Sequence, residues 1–395
     1  MGKWEMVRLG DVCQIQSGGT PSRAVSEYWT PGVGGERIPW VKISDIKQKY
    51  VADTEEHIAN AGLESSSAKL FPAGTILYTI FATLGEVAVL SIDAATNQAI
   101  VGITVPEQIN ANFLYYYLKS IKNQVMNKGR GVAQNNINLS ILRDFQIPLP
   151  PLSIQQKIAE TLDKASELID NRKRQIEKLD LLVKSKFVEM FGDPVLNPMG
   201  WEVCSLSEHL KVIGGYAFSS EKFVESGIPI LRIGNINSGF FKPTNLVYWE
   251  YESKLDRYLM YPGDLVISLT GTVGKDDYAN VCILGEEYER YYLNQRNAKL
   301  ELKNTIDKTY LANVLKVPQI KSKLTGISRG VRQANVSNND ILNLSVQLPP
   351  LSLQQQFAEF VRAVEQTKAE MRRGLEKQEL LYKSLMQKCF NGEVF

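Results

Sequence analysis

The chain contains the same unit twice, and this repeat constrains its fold more than any other feature. Residues 130–156 read RGVAQNNINLSILRDFQIPLPPLSIQQ and residues 329–355 read RGVRQANVSNNDILNLSVQLPPLSLQQ; at a constant offset of 199 residues, 12 of 27 positions agree without a gap. Further blocks match at offsets of 190 to 197, such as IPWVKISDI (38–46) with IPILRIGNI (228–236). A period this long indicates a duplicated domain, because solenoid repeats run at roughly 20–50 residues.

Composition sets the class of protein. The chain has 395 residues, 44% of them hydrophobic, so two domains of ordinary size can each bury a core. No apolar run approaches the roughly 18–20 residues of a membrane helix, and the start MGKWEMVRLG does not resemble a signal peptide, so we expect a cytoplasmic protein. The four cysteines lie far apart in sequence, which favours free thiols over disulfides or a zinc site.

Each copy divides into a mixed domain and a long helix. Short β-rich runs (IPWVKI, TILYTIF, EVAVLSI, AIVGITV) alternate with turn residues, and NFLYYYLKSIKNQVMN is typical of a helix. After each Pro-Pro pair, a Ser-x-x-Gln capping box at Ser153 or Ser352 predicts a helix start. Roughly 37 residues without proline follow in each copy. We predict an α+β fold with domains at 1–150 and 193–349 and long helices at 151–192 and 350–395.

Apolar residues in both helices alternate steps of four and three, which is a heptad seam. The seam consists of Ile158, Leu162, Ala165, Ile169, Ile176, Leu179 and Val183 in the first helix and of Phe357, Val361, Val364, Met371, Leu375, Tyr382 and Leu385 in the second. It is interrupted at Arg172, Lys368 and Gln378. One interpretation is that each helix lies on its own domain. A helix this long overhangs such a domain, so we expect an antiparallel coiled coil that separates two heads.

The charge distribution indicates what these heads bind. Net charge is only +2, but the stretches Lys119–Arg143 and Lys316–Arg332 each carry five basic residues and no acidic one. Either run alone could be a solvated helix face. The basic run recurs, however, beside Asn- and Gln-rich loops, and Arg and Lys neutralise phosphates while Asn, Gln and Arg pair with base edges. The sequence therefore predicts two half-sites on DNA.

Candidate DNA-binding residues come from polar positions in and around these loops. In the first copy they are Thr20, Arg23, Lys42, Ser44, Lys47, Asn97, Gln98, Arg130, Gln134 and Asn136. In the second copy they are Arg232, Asn235, Thr272, Lys275, Asn294, Gln295, Arg296, Arg329, Arg332, Gln333 and Asn335. Positions shared by both copies cannot explain the reading of two different half-sites, so bases should be read where the copies diverge. For Asn97 and Asn294 the alternative is that the side chain holds its own loop.

Several motifs together resemble one family. Trp-Glu near the start of each half, IPWVKI, RGVAQ and RGVRQ, PLPPLSIQQ and MFGDP occur in this order, and the set is similar to the specificity subunit of type I restriction-modification systems. The resemblance covers essentially the whole chain. It departs at Gln155 and Gln354, where many members of the family carry Glu. The resemblance implies two target recognition domains that each read half of a split DNA sequence, with the helices as spacer and docking surface for two methyltransferase subunits.

The resemblance also implies restriction and translocase subunits as partners, and it places S-adenosylmethionine, ATP and Mg on partner subunits rather than on this chain. The sequence itself has no [DN]-P-P-[YF] loop, no Walker A lysine and only two histidines, His57 and His209, which we expect at the surface. We therefore predict no catalysis and no metal site. A scaffold whose heads bind proteins and a cryptic carboxylate nuclease are the alternatives. Sequence-discriminating DNA binding would separate the first alternative from our reading, and Mg²⁺-dependent cleavage would reveal the second.

Overall fold

The computed structural model of the chain describes residues 4–29, 37–123, 125, 137–237, 239–272, 277–325 and 333–395, with only the backbone of Gln333. The chain forms two compact units. The first unit comprises Met1–Arg174 and Arg373–Phe395, and the second comprises Gln175–Arg372. Each unit therefore contains one mixed domain and a segment of both long helices.

The first unit has the predicted mixture of strands and helices. Its strands are β1 (Met6–Arg8), β2 (Gln14–Ser17), β3 (Arg37–Val41), β4 (Tyr50–Val51), β5 (Glu56–Ala59), β6 (Leu70–Phe71), β7 (Ile76–Thr79), β8 (Val87–Leu90), β9 (Ala94–Thr96), β10 (Ile100–Thr104) and β11 (Gln146–Pro148). Its short helices span Leu9–Val12, Asn60–Glu64, Ala111–Ser120 and Leu139–Arg143. The four predicted β-rich runs are thus confirmed, and the predicted helical stretch is confirmed as the helix Ala111–Ser120. Every residue of β7 and β8 is buried, which explains why their sequences are continuously apolar.

The second unit repeats this arrangement. Its strands are β12 (Val203–Ser205), β13 (Leu210–Gly214), β14 (Ile228–Leu231), β15 (Val247–Trp249), β16 (Leu259–Met260), β17 (Leu265–Ser268), β18 (Thr270–Thr272), β19 (Val281–Ile283), β20 (Tyr291–Leu293), β21 (Asn297–Leu302), β22 (Gln333–Asn335) and β23 (Ser345–Gln347). Its short helices span Ile233–Ile236, Lys308–Leu315, Pro318–Thr325 and Asn338–Leu342.

Sheet topology shows the duplication directly. In the first unit the larger sheets have the orders β2-β10-β7-β8-β4 and β5-β3-β9-β6, and in the second unit β13-β21-β17-β19 and β15-β14-β20-β16. The second sheet of each unit contains one parallel pair, β3 with β9 or β14 with β20. Apart from the edge strand β4 of the first unit and the pair β18-β22 of the second, the described strands of the two units have the same order.

The two long helices span Leu152–Phe191 and Leu351–Asn391. The second helix ends four residues before the predicted bound at residue 395. Gly192 and Gly392 follow the two helices with φ of +77° and +74°, the left-handed conformation that commonly closes a helix. The predicted capping boxes are wrong. Each helix begins one residue before the serine, because the carbonyl oxygen of Pro151 or Pro350 already accepts the first helical hydrogen bond.

The glutamines next to those of the capping boxes, Gln155 and Gln354, connect the helices to the domains. Gln155 is buried; its Nε2 donates to the carbonyl oxygens of Pro150 and Gln108, and its Oε1 accepts from the backbone N–H of Asn110 at 2.8 Å. Gln354 occupies the same place in the second unit, where it bonds to Pro349 and to Asp307. Each glutamine therefore joins a long helix to its own domain. It can do so because its side-chain amide has both a hydrogen-bond donor and an acceptor.

Within each unit the two helix segments run antiparallel. In the first unit the pair Lys173–Glu379 is 2.9 Å apart. In the second, Asp180 contacts Lys368 at 2.6 Å, and Phe187 lies 5.5 Å from Phe357 between ring centroids. All predicted seam residues are buried or partly buried, so the seam is confirmed.

The seam contains one buried cation. The side chain of Lys368 is 5% exposed, and its Nζ lies 2.6 Å from both Asp180 and Glu365. The same repeat position in the first unit is Ile169, which is buried without a charge. A buried ion pair can often be replaced by an apolar side chain of similar volume without loss of stability.

We therefore expect Lys368→Met to leave the free energy of unfolding unchanged within about 1 kcal/mol or to raise it. Lys368→Ala should lower it, because a cavity replaces the lysine stem in the seam. Urea denaturation of the two variants measures both effects. A Met variant that is less stable than the Ala variant would contradict this interpretation of the pair.

The remaining expectations on thiols and histidines have different outcomes. All four cysteines are free and buried, as predicted. The surface placement of the histidines is wrong for His209, which is buried with its Nδ1 2.8 Å from Oγ1 of Thr305. His209 immediately precedes β13, whose first residue belongs to the core, and burial extends to the histidine.

Candidate nucleic-acid interface

The parallel strands bring separate loops of the sequence to one edge. In the first unit β3 and β9 run parallel, with Val41 opposite Thr96. The residues that follow these strands, from Lys42 and from Asn97, therefore lie side by side, and the N–H of Asn97 donates to the carbonyl oxygen of Val41 at 3.1 Å. This sheet edge, formed by residues 42–47 and 97–98, is called the first reading edge below.

The second unit has an equivalent edge. Strands β14 and β20 run parallel, with Leu231 opposite Leu293. The loops after them carry Arg232 and Asn235 on one side and the run 294–296 on the other. These residues form the second reading edge. The structure thus brings together five predicted site residues of the second copy: Arg232, Asn235, Asn294, Gln295 and Arg296.

A glycine allows a third segment to cross each edge. Gly18 follows β2, and a Cβ atom on it would lie 2.0 Å from Oγ1 of Thr96; a Cβ on Gly215, which follows β13, would lie 2.2 Å from the carbonyl oxygen of Asn294. Any larger residue would clash with the edge. The sequence analysis missed these glycines, although the repeated Gly-Gly at 18–19 and 214–215 is the signal that identifies them.

Both edges are held by the same backbone contacts. Oδ1 of Asn97 accepts from the N–H of Ala99, and Oδ1 of Asn294 accepts from the N–H of Arg296. These two side chains thus hold their own loops, which is the alternative raised from the sequence. In the second edge, Oδ1 of Asn235 accepts from the N–H of Arg232, and its Nδ2 donates to two carbonyl oxygens in the loop 242–244.

The second edge borders a cavity of about 540 Å³. Besides the five predicted site residues, Phe218, Phe223, Thr244 and Asn245 line it. Its cations are Arg232 and Arg296, and Arg232 donates through Nη2 to the carbonyl oxygen of Asn245. Clefts of this size with a few polar groups among aromatic rings are typical of binding sites.

The first edge has a different electrostatic character, because carboxylates lie among its cations. Arg23 is 2.6 Å from Glu56, and Lys42 contacts both Glu56 at 2.8 Å and Glu55 at 3.1 Å. Hydrogen bonds from Arg23 and Lys42 lower the pKa of the Glu56 carboxyl, and hydrogen bonds to Glu56 and Glu55 raise the pKa of Lys42. Lys47 lies 3.8 Å from Glu55. Sequence reasoning missed both glutamates.

The other candidates of the first edge are polar and accessible. Ser44 is exposed, and the hydroxyl of Thr20 donates to the side-chain oxygen of Gln98. In the second unit, Thr272 and Asn335 are exposed on the pair β18-β22, where Thr272 lies opposite Gln333. The last set of candidates lies outside the described residues: Arg130, Gln134, Asn136, Lys275, Arg329 and Arg332.

The basic runs of the sequence have partners within the protein. Nζ of Lys122 lies 2.5 Å from Glu86, and Nζ of Lys119 donates to the hydroxyl of Tyr115. Lys321 is buried, with Nζ 2.7 Å from Oδ1 of Asn280. Lys122 and Lys321 are thus bonded within the protein rather than free to bind phosphates, whereas the side chain of Lys119 is exposed.

The described part of the chain contains neither a metal-binding cluster nor a membrane-spanning helix. Among these residues, no group of three or more His, Cys, Asp and Glu side chains is arranged to hold a metal ion. Within the same ranges, no helix combines the length and apolar character needed to cross a membrane.

Comparison with known proteins also divides the chain into two similar halves. The family model for the type I restriction modification DNA specificity domain matches the chain twice, at residues 1–181 and 198–380. The type I restriction enzyme MjaIX specificity subunit from Methanocaldococcus jannaschii is 31% identical over 258 residues, which are 60% of this chain and 59% of that protein. The MjaVIII specificity subunit from the same organism is 26% identical over 412 residues, covering 99% of this chain and 93% of that protein.

Solved structures share the fold. A chain from a study of complex assembly and conformational transition of the type I R-M system has a TM-score of 0.60 at 19% identity, covering 99% of this chain and 98% of that chain. The crystal structure of a type I restriction-modification S subunit from M. genitalium has a TM-score of 0.52 at 16% identity, with coverage of 98% and 96%.

Proposed function

The chain belongs to the type I restriction-modification DNA specificity family, whose domain model matches it twice, and from this premise we propose that it is the DNA specificity subunit of a type I restriction-modification complex. Each unit reads one half of a bipartite, asymmetric DNA target. Methyltransferase and restriction subunits are its partners, and we assign two methyltransferase subunits to each copy of the chain.

The observation that carries this proposal is a repeated frame with different side chains. Both reading edges follow a parallel strand pair, are crossed at a glycine and are held by an asparagine loop. On this common frame the first edge carries Lys42 and the second Arg232, with carboxylates only beside the first. A shared frame with divergent groups is what two reading heads for two different half-sites require.

The two long helices carry equivalent pairs of exposed leucines, where two identical partner subunits can dock. Leu181 and Leu182 of the first helix and Leu380 and Leu381 of the second occupy equivalent repeat positions, and all four are between 46% and 69% exposed. Exposed apolar side chains in adjacent pairs are costly unless a partner covers them. Because the same pair occurs once in each unit, the same kind of subunit can dock twice.

We assign the chemistry of the complex to the partner subunits. S-adenosylmethionine belongs to the methyltransferase subunits, and ATP and Mg²⁺ belong to the restriction subunits. This chain binds the DNA and positions it. It holds the target bases at a fixed place relative to the subunits that are docked on its helices.

The test is the methylation pattern of a host that carries this chain with its methyltransferase subunit. We expect N6-methyladenine within one sequence of two fixed parts separated by bases that are not read. Exchanging residues 1–150 for the matching segment of another family member should change one part and reduce methylation at the old target to background. A single contiguous target, or a change in both parts, would contradict the proposal. Binding without sequence preference would favour a scaffold.

A further inference from the structure

One arginine of the first unit is held far more firmly than an exposed cation usually is. The guanidinium carbon of Arg23 lies 3.6 Å from the ring centroid of Trp29 and 5.2 Å from that of Trp40. Its Nη1 lies 2.6 Å from Oε2 of Glu56, yet the side chain remains 55% exposed. Stacking on two rings and one ion pair fix the plane of the guanidinium.

The rings that hold this arginine are themselves fixed. Trp29 and Trp40 meet edge to face, with centroids 4.9 Å apart. Nε1 of Trp29 donates to the carbonyl oxygen of Ser22, and Nε1 of Trp40 donates to that of Gly19, both at 3.0 Å. Since Gly19 and Ser22 directly follow Gly18, where the chain crosses the first reading edge, the arginine has a defined position beside that edge.

The net charge around an arginine indicates whether it contacts a phosphate or a base edge of DNA. Contact with a phosphate depends on net positive charge and tolerates loose geometry. Contact with a base edge depends on a fixed fork of donors. Around Arg23 the cations Arg23, Lys42 and Lys47 are ion-paired with the two carboxylates Glu55 and Glu56. The group therefore has little net charge but is rigid, which favours base reading.

The side chains that hold Arg23 lie at positions where the two copies of the repeat differ. Trp40 lies opposite Glu56 across strands β3 and β5, whereas the equivalent pair across β14 and β15 is Ile230 opposite Val247. At this pair of positions the second unit thus has neither the ring nor the carboxylate. A group of side chains that occurs in only one head can make that head recognise a different half-site from the other.

We propose that Arg23 is a specificity-determining residue of the first unit and that it reads a guanine through the O6 and N7 acceptors of its major-groove edge. This inference rests on the proposed function. A guanidinium offers only donors, and guanine is the base that presents two acceptors side by side in the major groove. Glu56 occupies one guanidinium nitrogen and aims the remaining donors, so it acts as a positioning residue.

The test uses the chain in complex with its methyltransferase subunit and duplexes that carry every single base change in the first half-site. In the unsubstituted complex, one guanine should be required. Arg23→Lys keeps the charge but removes the fork, so discrimination at that guanine should fall roughly ten- to hundredfold. Affinity changes at other positions should stay within about twofold, and the salt dependence should not change.

Two further variants keep the test decisive. Arg8→Lys is the matched control, because Arg8 is 54% exposed and ion-paired with Asp144 but lies in another part of the unit; discrimination should be unaffected. Glu56→Gln removes a negative charge while keeping the shape, so binding to all duplexes should become more salt-dependent by about one phosphate contact while discrimination at the guanine weakens.

The outcomes distinguish this inference from the proposed function. If Arg23→Lys and Glu56→Gln both retain full discrimination at every position, Arg23 does not read a base. A uniform loss of affinity over all sequences with Arg23→Lys would show that it contacts phosphate instead. If the unsubstituted complex has no sequence preference at all, the proposed function itself is wrong.

Discussion

Replacing Leu380 and Leu381 by aspartate should release one of the two methyltransferase subunits that we propose for the complex and leave the other bound. Covering two exposed leucines stabilises an interface by about 3–6 kcal/mol, so their loss should weaken that docking site at least hundredfold. Two buried carboxylates without partners add a further cost. The substituted side chains are 66% and 69% exposed, so the fold of the first unit should not change.

The duplication supplies the matched experiment. Leu181→Asp with Leu182→Asp should release a subunit from the second unit instead, and all four substitutions together should leave the chain without methyltransferase. Light scattering after size exclusion gives the mass of each complex. Leu196→Asp is the control, because Leu196 is 79% exposed but lies beyond the end of the first long helix. Two subunits retained by the fourfold variant would rule out these leucines as docking sites.

The features predicted correctly from the sequence are those that repeat at fixed spacing. The duplication, the strand runs and the heptad seam each depend on many residues, so a single misleading position does not remove the signal. Even the interruption at Lys368 did not hide the seam, because its neighbours Val364 and Met371 keep the spacing. The predicted helix start failed at the level of one residue, since the choice between Ser153 and the preceding proline depends on one hydrogen bond.

The candidate site could be predicted only as a set of polar positions. Arg23, Lys42 and Gln98 were found because their types suit DNA. The carboxylate that determines how two of them are held, Glu56, was missed because it lies on β5, beside β3 only after the sheet has formed. Similarly, Lys122 was counted in a basic run that indicated DNA binding, although it is ion-paired with Glu86, which lies too far away in sequence for a local pattern to reveal.

The core of the second unit explains why head and helices should respond together to one substitution. Phe357 of the second long helix is fully buried, and its ring lies 5.4 Å from that of Phe191 of the first long helix. Phe191 in turn lies 4.8 Å from Tyr310, in the helix Lys308–Leu315 of the head. The hydroxyl of Tyr310 donates to the carbonyl oxygen of Gln347 at 2.9 Å. The aromatic cluster thus belongs to three elements at once.

We expect Phe357→Ala to lower the free energy of unfolding of the second unit by about 3–5 kcal/mol, because the lost ring leaves a cavity that backbone on three sides cannot close. Phe357→Leu should cost less, since most of the volume is kept. The matched substitution in the first unit is Ile158→Ala, at the same repeat position and equally buried, with an expected loss of about 2–5 kcal/mol. Urea denaturation measures all three.

Hydrogen exchange decides whether the head is stable without its helices. If the shared cluster holds the second unit together, Phe357→Ala should reduce protection both in the long helix around residue 357 and in the head helix Lys308–Leu315, while amides of the first unit such as those of β7 and β8 keep theirs. If only the long helix loses protection, the head has a core of its own and the long helices are a separate spacer. Because Phe187, Phe191 and Phe357 belong to the same buried cluster as the sheet residues of β17 and β21, we expect the first result.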